Sequence, residues 1–81
     1  MKITVRLFAI LKDRAGTAEI CLELNDGATI VSAADALKSR FPAFGDFLPR
    51  VAYAINREYV NIDAKLHEGD ELAIIPPVSG G

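Results

Sequence analysis

The stretch EICLELNDGATIVSAADALKSRFP, residues 19–42, decides the fold class because its hydrophobic period changes part-way along. Its first part alternates apolar and polar residues, as a half-buried strand does; the apolar positions are Ile20, Leu22 and Leu24. Asn25-Asp26-Gly27 then supplies turn chemistry. Apolar residues recur at helical spacing from Ile30 to Phe41, and Pro42 ends the helix because proline disfavours helical geometry in the residue before it. The stretch therefore predicts a strand, a turn and one amphipathic helix.

The residues on either side predict one more strand and two irregular segments. Lys2 to Phe8 alternates polar and apolar side chains as a strand does. Residues 9–17 are too many for a tight two-residue hairpin turn, so they predict a wide loop or one helical turn. Beyond the helix, residues 43–50 look irregular, and we expect their large apolar side chains to lie against the core; these are Phe44, Phe47 and Leu48.

Three further strands follow. Val51 to Ile55 alternates as a third strand, and Tyr59-Val60 forms a short fourth after the turn Asn56-Arg57-Glu58. After another turn, Glu71 to Ile75 is a final apolar strand. Pro76-Pro77 stops it, because neither proline can donate a hydrogen bond to a sheet.

This order of elements predicts an α+β domain rather than an alternating doubly wound one. Strand, strand, helix, strand, short strand, strand is the order of the β-grasp arrangement, in which the first and last strands are parallel neighbours in the middle of a mixed sheet. We expect four to five strands with one main helix over residues 1–75. Residues 76–81 are expected to follow as an extended, flexible C-terminal tail.

Length and composition bound the function. The chain has 81 residues, 51% of them apolar, which is enough for one compact domain and too few for two separate cores. A domain of this size has little spare stability with which to hold a deep, preorganised cleft. A carrier or binding module is therefore favoured over a self-sufficient enzyme.

Charge, hydropathy and cysteine content argue against nucleic-acid-binding, membrane and disulfide-bonded proteins. The formal net charge is -2 with no basic run that would track a phosphate backbone, so we expect no nucleic-acid partner. The N-terminus, MKITVRLF, lacks the uninterrupted apolar block of a signal peptide or membrane span, and we expect a cytoplasmic protein with no membrane partner. Cys21 is the only cysteine, so no internal disulfide or thiol cluster can form. We expect no bound metal or cofactor.

The last six residues, Pro76-Pro77-Val78-Ser79-Gly80-Gly81, are the part of the chain best suited to chemistry. Two prolines favour an extended exit, and six extended residues reach roughly 20 Å at about 3.3 Å per residue. Ser79, Gly80 and Gly81 have little bulk, so they can thread a narrow channel in a partner. The Gly81 α-carboxylate is open to attack but is a poor acyl donor, so its use requires activation, for instance as an acyl-adenylate made by a separate ATP-dependent enzyme. Gly81 is then a covalent carrier position rather than a catalyst.

Two positions outside the tail are candidates for partner contact. Phe8 falls on the face opposite the inward residues of its strand, and Ile75 immediately precedes the tail. With them we group the rest of the tail as partner-binding residues, namely Pro76, Pro77, Val78, Ser79 and Gly80. An ordinary packed aromatic is the alternative interpretation of Phe8. His67 and Asp70 are interpreted as turn residues that lead into the last strand.

Three segments carry a resemblance to a known family. They are LHEGDELAIIPPVSGG at Leu66 to Gly81, VRLFAILKDRAG at Val5 to Gly16 and AINREYV at Ala54 to Val60. These segments resemble the small, sulfur-carrying subunit of molybdopterin synthase, a ubiquitin-like β-grasp family, and a weaker likeness over Ala28 to Pro42 extends this to essentially the whole chain. The C-terminal motif is the specific part. Some relatives have aromatic residues before the double proline, where this chain has Ile74-Ile75.

The resemblance implies a sulfur-transfer cycle. A ubiquitin-activating-like adenylyltransferase would use ATP to adenylate Gly81, and a sulfur donor protein would convert the adenylate into a thiocarboxylate. The tail would then enter the large catalytic subunit of the synthase and give its sulfur to a cyclic pyranopterin monophosphate, forming the dithiolene that binds molybdenum. The family assembly is a heterotetramer of two small and two large subunits, and the small subunit is not catalytic alone.

Three other functions stay open. Sulfur carriers for the thiazole of thiamine resemble this chain in fold and diglycine end, but they are usually shorter and lack the PPV segment. A ubiquitin-like protein modifier would join Gly81 to a target lysine through an amide. A plain interaction domain would have an inert tail, since chain ends are often small residues without a function.

Overall fold

The computed structural model describes residues 1–76. Its helices and strands are β1 (Lys2–Leu7), α1 (Ala9–Ala15), β2 (Glu19–Glu23), α2 (Ile30–Arg40), β3 (Ala52–Ile55), β4 (Glu58–Val60) and β5 (Glu71–Ile75). Two 3₁₀ helices, Pro42–Asp46 and Leu48–Arg50, join α2 to β3. The predicted tail positions Pro77, Val78, Ser79, Gly80 and Gly81 lie outside the described residues. The division into a domain and a tail therefore stays a prediction.

Within residues 1–76, the strands form a mixed five-stranded sheet in the order β2-β1-β5-β3-β4. β1 and β5 are parallel neighbours in its middle, and the other neighbouring pairs are antiparallel. The first strand thus pairs with the last one of the domain, as the element order predicted. The β-grasp fold is confirmed.

The core lies between one face of the sheet and the two helices. Its most deeply buried residues, each at most 2% exposed, are Ile3, Val5, Leu7, Leu11, Ile30, Ala33, Leu37, Phe44, Leu66, Leu72 and Ile74. α2 contributes Ile30, Ala33 and Leu37 at the helical spacing seen in the sequence. Full burial of one large apolar side chain is worth about 1.5–3 kcal/mol. The core between the inner face of the sheet and the helices is therefore the main source of stability.

Residues 9–15 form a helix of about two turns, where the sequence predicted a wide loop or one turn. Fully buried Leu11 anchors this helix on the core. Gly16 ends it with a left-handed φ of 76° and donates its N–H to the Lys12 carbonyl at 2.9 Å. In the part of the chain that the structure describes, neither α1 nor α2 is long and apolar enough to cross a membrane.

The segment between α2 and β3 packs as predicted. Phe44 is fully buried, Leu48 is 7% exposed, and Phe47 packs partly buried against the core. The Phe41 and Phe44 rings stack with their centroids 5.1 Å apart. The region that looked irregular in sequence is a pair of 3₁₀ helices that places these side chains against the core.

Candidate docking face at the exit of the tail

The face of the sheet opposite the core carries small and charged residues. Along one row across the strands, Arg6 of β1 neighbours Ala73 of β5. Ala73 neighbours Ala54 of β3, which in turn neighbours Tyr59 of β4. Because strand side chains alternate between faces, this row points away from the core. The two central alanines leave a shallow depression that larger side chains would fill.

A groove of about 260 Å³ lies over these alanines. Its walls are Arg6, Phe8, Arg57, Tyr59, Glu71 and Ile75. Tyr59 is 74% exposed and Phe8 is 41% exposed, whereas Ala54 in the floor is 5% exposed. Exposed aromatic rings around an apolar floor make a contiguous apolar patch, which is typical of an interaction site. We call the floor and walls of this groove the docking face.

The register of β1 and β5 brings Phe8 and Ile75 to the same end of the sheet. Leu7 pairs with Ile74, so the next residue of each parallel strand, Phe8 or Ile75, lies at the end of the pair. Both line the groove. Pro76, half-buried, continues the chain from this point. The docking face therefore adjoins the place where the chain leaves the sheet towards the diglycine.

The chain turns sharply directly after Phe8. Phe8 itself is extended, with φ -130° and ψ 153°, whereas Ala9 has a positive φ of 50°. This turn lets Leu11 reach the core two residues later while Phe8 stays exposed. A left-handed conformation costs an L-residue about 1–2 kcal/mol. Such strain is concentrated in proteins at functional positions.

Two further left-handed residues form the turn that carries Arg57 to the groove. Asn56 and Arg57 join β3 to β4 with φ values of 50° and 73°, and positive φ at both residues is the requirement of a type I′ turn. Asn56 Nδ2 donates to Asp70 Oδ1 at 3.0 Å, and Asn56 Oδ1 accepts the Glu71 N–H at 3.0 Å. Asp70, only 9% exposed, also accepts the His67 N–H at 2.8 Å. Asp70 is thus a buried acceptor that ties the hairpin to β5, in addition to its predicted place in a turn.

The two arginines of the docking face differ in whether they form an ion pair. Arg6 Nη1 lies 3.8 Å from Glu71 Oε2, with the two side chains 42% and 36% exposed. A pair this exposed contributes between about 0 and 1 kcal/mol, because solvent screens it. Arg57 is exposed, and within residues 1–76 its side chain makes no ion pair. The groove thus has one basic group that forms no ion pair with the described part of the chain.

The described residues offer binding rather than catalytic chemistry at this face. No group of three or more His, Cys, Asp and Glu side chains suited to a metal ion occurs within residues 1–76. Cys21 is exposed on β2 opposite Thr4, outside the groove. Burial raises the pKa of Tyr53, but this residue belongs to the core and its hydroxyl donates to the Leu48 carbonyl at 3.4 Å. Shape, apolar contact and charge are what the docking face provides, and these suit a protein partner.

Four wall residues were not predicted to contact a partner, namely Arg6, Arg57, Tyr59 and Glu71. Tyr59 was assigned to a short strand and Arg57 to a turn, without a role for either. The signal that identifies them is the hairpin register: a two-residue turn at 56–57 places Tyr59 opposite Ala54, on the outer face. Phe8 and Ile75, which the sequence did single out, lie in the same groove.

Comparisons with known proteins show the family of the chain. The sequence matches the ThiS family over residues 5–81. The chain belongs to the ThiS family. It is 40% identical to the "Molybdopterin synthase sulfur carrier subunit" of Chlamydomonas reinhardtii, with both chains covered completely. Among solved structures, SAMP1 from Haloferax volcanii superposes with a TM-score of 0.87 at 31% identity, again covering 100% of each chain.

One solved structure similar to this chain belongs to a complex of two subunits. A chain in the complex of subunits 1 and 2 of the molybdopterin-converting factor from Helicobacter pylori superposes on this ThiS-family chain with a TM-score of 0.73, at 26% identity and with 100% of each chain covered. The likeness to sulfur carrier subunits thus extends over the whole chain and is not confined to the C-terminal motif. The resemblance predicted from the sequence is confirmed.

Proposed function

We propose that this ThiS-family chain is the sulfur-carrier subunit of a molybdopterin synthase and works in the cytoplasm. The observation that carries the proposal is the position of the docking face. Phe8 and Ile75 wall its groove at the end of the sheet from which Pro76 leads towards Gly81. A partner seated on this face lies beside the start of the tail. Full-length likeness to a molybdopterin synthase sulfur carrier subunit supports the choice of pathway.

Docking and delivery are divided between the domain and the tail in this proposal. Five residues follow Pro76, and a fully extended segment of that length spans roughly 17 Å. This reach suffices for Gly81 to enter a pocket in the partner while the domain stays outside. The partner is the large catalytic subunit, joined with this chain in a heterotetramer; the Helicobacter pylori neighbour is itself a complex of two different subunits.

The carrier chemistry takes place at the Gly81 carboxylate. A separate adenylyltransferase joins a carboxylate oxygen to the α-phosphorus of ATP, and pyrophosphate leaves. A sulfur nucleophile at the oxidation level of hydrosulfide, delivered by a donor protein, then displaces AMP and leaves a thiocarboxylate. In the large subunit the thiocarboxylate sulfur bonds to a carbon of the pterin substrate in place of an oxygen substituent, and water hydrolyses the resulting thioester, so the sulfur stays on the pterin and the tail returns as a carboxylate. Gly81 is a carrier throughout, and the large subunit provides the catalytic groups.

Intact-mass spectrometry tests the carrier step. The purified chain is incubated with ATP, its adenylyltransferase and a sulfur source, and we expect a mass gain of one oxygen-to-sulfur exchange at the C-terminus. A variant with Gly81 deleted is the control, and it should stay unmodified while folding normally. An unchanged wild-type mass, with an adenylyltransferase that is active on another carrier, would contradict the proposal.

Addition of the large subunit and the pterin precursor tests the pathway. Dithiolene formation that depends on the thiocarboxylated chain supports molybdopterin synthesis. Thiocarboxylate formation without sulfur transfer to the pterin would instead favour the thiazole pathway of thiamine.

A protein modifier is the second candidate function, and the likeness to SAMP1 favours it, because that structure is one of a small archaeal modifier protein. In this function Gly81 forms an amide with a lysine of a target protein. Adducts of the chain on target lysines, found by mass spectrometry of cell extract and lost on deletion of Gly81, would support it. A chain that serves both functions would give both readouts.

A further inference from the structure

Arg57 occupies a backbone position that favours glycine. Its φ is 73°, and it is the second residue of the two-residue turn between β3 and β4. Asparagine followed by glycine is the preferred sequence of such a turn, because glycine adopts positive φ without a steric penalty. Asn56 fits this preference and Arg57 does not. The hairpin would fold more favourably with glycine in place of Arg57.

Within residues 1–76, the side chain of Asn56 has a structural role and that of Arg57 has none. Asn56 is bonded through its side chain to Asp70 and to the Glu71 N–H, which ties the turn to β5. Arg57 is exposed, and within the described part of the chain its guanidinium makes no ion pair or side-chain hydrogen bond. It nevertheless lines the groove beside Tyr59.

Charge at the groove is opposite in sign to charge on the whole chain. The chain has a formal net charge of -2, whereas the walls of the groove carry two arginines and one glutamate. Glu71 is already paired with Arg6 at 3.8 Å. Among the described residues 1–76, the positive charge of Arg57 is therefore the one at the groove that remains for an incoming carboxylate.

We propose that Arg57 is a recognition residue that pairs with an Asp or Glu side chain of the docked partner, next to an apolar partner side chain seated over Ala54 and Ala73. This inference rests on the proposed function, in which the partner is the large synthase subunit. The guanidinium suits the task because its planar donors can bind a carboxylate with two hydrogen bonds. Its attachment point is held by the Asn56 hydrogen bonds, so less conformational freedom is lost on binding than for a mobile loop.

Substitutions at Arg57 separate recognition from a merely structural role. Arg57→Gln removes the charge but keeps a long side chain, and we expect its Kd for the large subunit to rise roughly threefold to tenfold. Arg57→Lys keeps the charge but loses the two-hydrogen-bond geometry of the guanidinium, so its Kd should lie between those of wild type and Arg57→Gln. The dependence of Kd on salt concentration should be weaker for Arg57→Gln than for wild type, because one screened charge pair is lost.

Arg57→Gly gives the sharpest result. It should raise the midpoint of thermal unfolding, since it relieves the positive φ, and yet weaken binding as much as Arg57→Gln does. A structural role predicts that stability and binding improve together. Arg50→Gln is the matched control, because Arg50 is also exposed and basic but lies in the second 3₁₀ helix, outside the groove.

Calorimetric titration of each full-length variant with the purified large subunit at several salt concentrations measures these effects. If Arg57→Gln binds with wild-type affinity and salt dependence while wild type binds the large subunit, the inference is wrong and the proposed function stands. If the wild-type chain does not bind the large subunit, the proposed function fails and the inference fails with it. If Arg50→Gln weakens binding as much as Arg57→Gln, the effect is one of net charge and the inference is also overturned.

Discussion

The two faces of the sheet use the same strands for different purposes. On β5, Leu72 and Ile74 face inward and are fully buried, whereas Ala73 between them faces outward and lies in the floor of the groove. The inner face is filled by large apolar side chains from both helices and the 3₁₀ segment. On the outer face, Ala54 and Ala73 occupy positions where larger side chains would fill the groove. One face therefore stabilises the domain, and the other retains a shape for a partner.

Leu72→Ala should show the largest effect and it tests the inner face. Leu72 is fully buried and pairs with Val5 and Ile55 in the neighbouring strands. Truncation removes its apolar contacts and leaves a cavity, so the free energy of unfolding should fall by about 2–5 kcal/mol. Urea denaturation followed by circular dichroism measures this change.

Ala73→Leu is the matched substitution on the outer face. The added side chain fills the groove and is expected to block the large subunit while changing the free energy of unfolding by less than about 1 kcal/mol. If Ala73→Leu destabilised the domain more than Leu72→Ala did, the assignment of stability to the inner face and of partner binding to the outer face would be wrong.

Tyr59→Ala should show the next largest effect, on binding rather than on stability. Tyr59 is 74% exposed, so its loss should change the free energy of unfolding by about 0.5 kcal/mol or less. Tyrosine is enriched among binding hot spots, and a docked partner would cover this ring, so we expect its loss to cost about 2 kcal/mol of docking free energy. Titration calorimetry with the large subunit measures this, and Tyr59→Phe, which keeps the ring, should retain most of the affinity. Unchanged affinity in Tyr59→Ala would remove the docking face from the proposal.

The sequence predicted the inner face better than the outer one. Alternation and helical spacing report burial directly, so the strands, α2 and the central pairing of the first and last strands were predicted correctly. Helix α1 was underestimated because a seven-residue helix anchored by Leu11, with charged residues at 12–14, has too few apolar positions to show a period. Asp70 was interpreted from the sequence only as a turn residue. Its hydrogen bond to Asn56 was not foreseen, because the two positions are 14 residues apart in the chain.

The outer face escaped prediction because it depends on register. Ala54, Tyr59 and Ala73 become neighbours only when three strands are paired, and none of them belongs to a sequence motif for binding. Phe8 was found because a large aromatic residue broke the alternation of its strand. The roles of Gly80 and Gly81 stay predictions, as these residues lie outside the part of the chain that the structure describes.

Ala9→Gly tests the turn between Phe8, which is exposed on the outer face, and α1, which packs on the core through Leu11. Its effect should be smaller than that of Tyr59→Ala. Ala9 is exposed with a positive φ of 50°, and glycine adopts this conformation without strain. Relief of the strain exceeds the added flexibility of the unfolded chain, so the free energy of unfolding should rise by up to about 1 kcal/mol. Ala15→Gly, at the other end of α1 and without a positive φ, should instead destabilise the domain by about 0.5–1 kcal/mol. Equal decreases in the free energy of unfolding of the two variants, measured by urea denaturation, would contradict the strain at Ala9.

Tyr53→Phe should give the smallest effect, and it compares the two tyrosines of the hairpin. Burial raises the pKa of Tyr53 above its ordinary value of 10.0. The group is thus held neutral by the fold, and its contribution to stability is complete below the unfolded-state pKa of about 10 and is lost as pH rises through the folded-state value. The free energy of unfolding of the wild-type chain should therefore fall more steeply above about pH 10 than that of Tyr53→Phe. Tyr59→Phe controls for the loss of an exposed phenol hydroxyl, and urea denaturation at a series of alkaline pH values gives the slopes. Equal slopes for wild type and Tyr53→Phe would mean that the Tyr53 phenol is as free to ionise in the fold as in the unfolded chain.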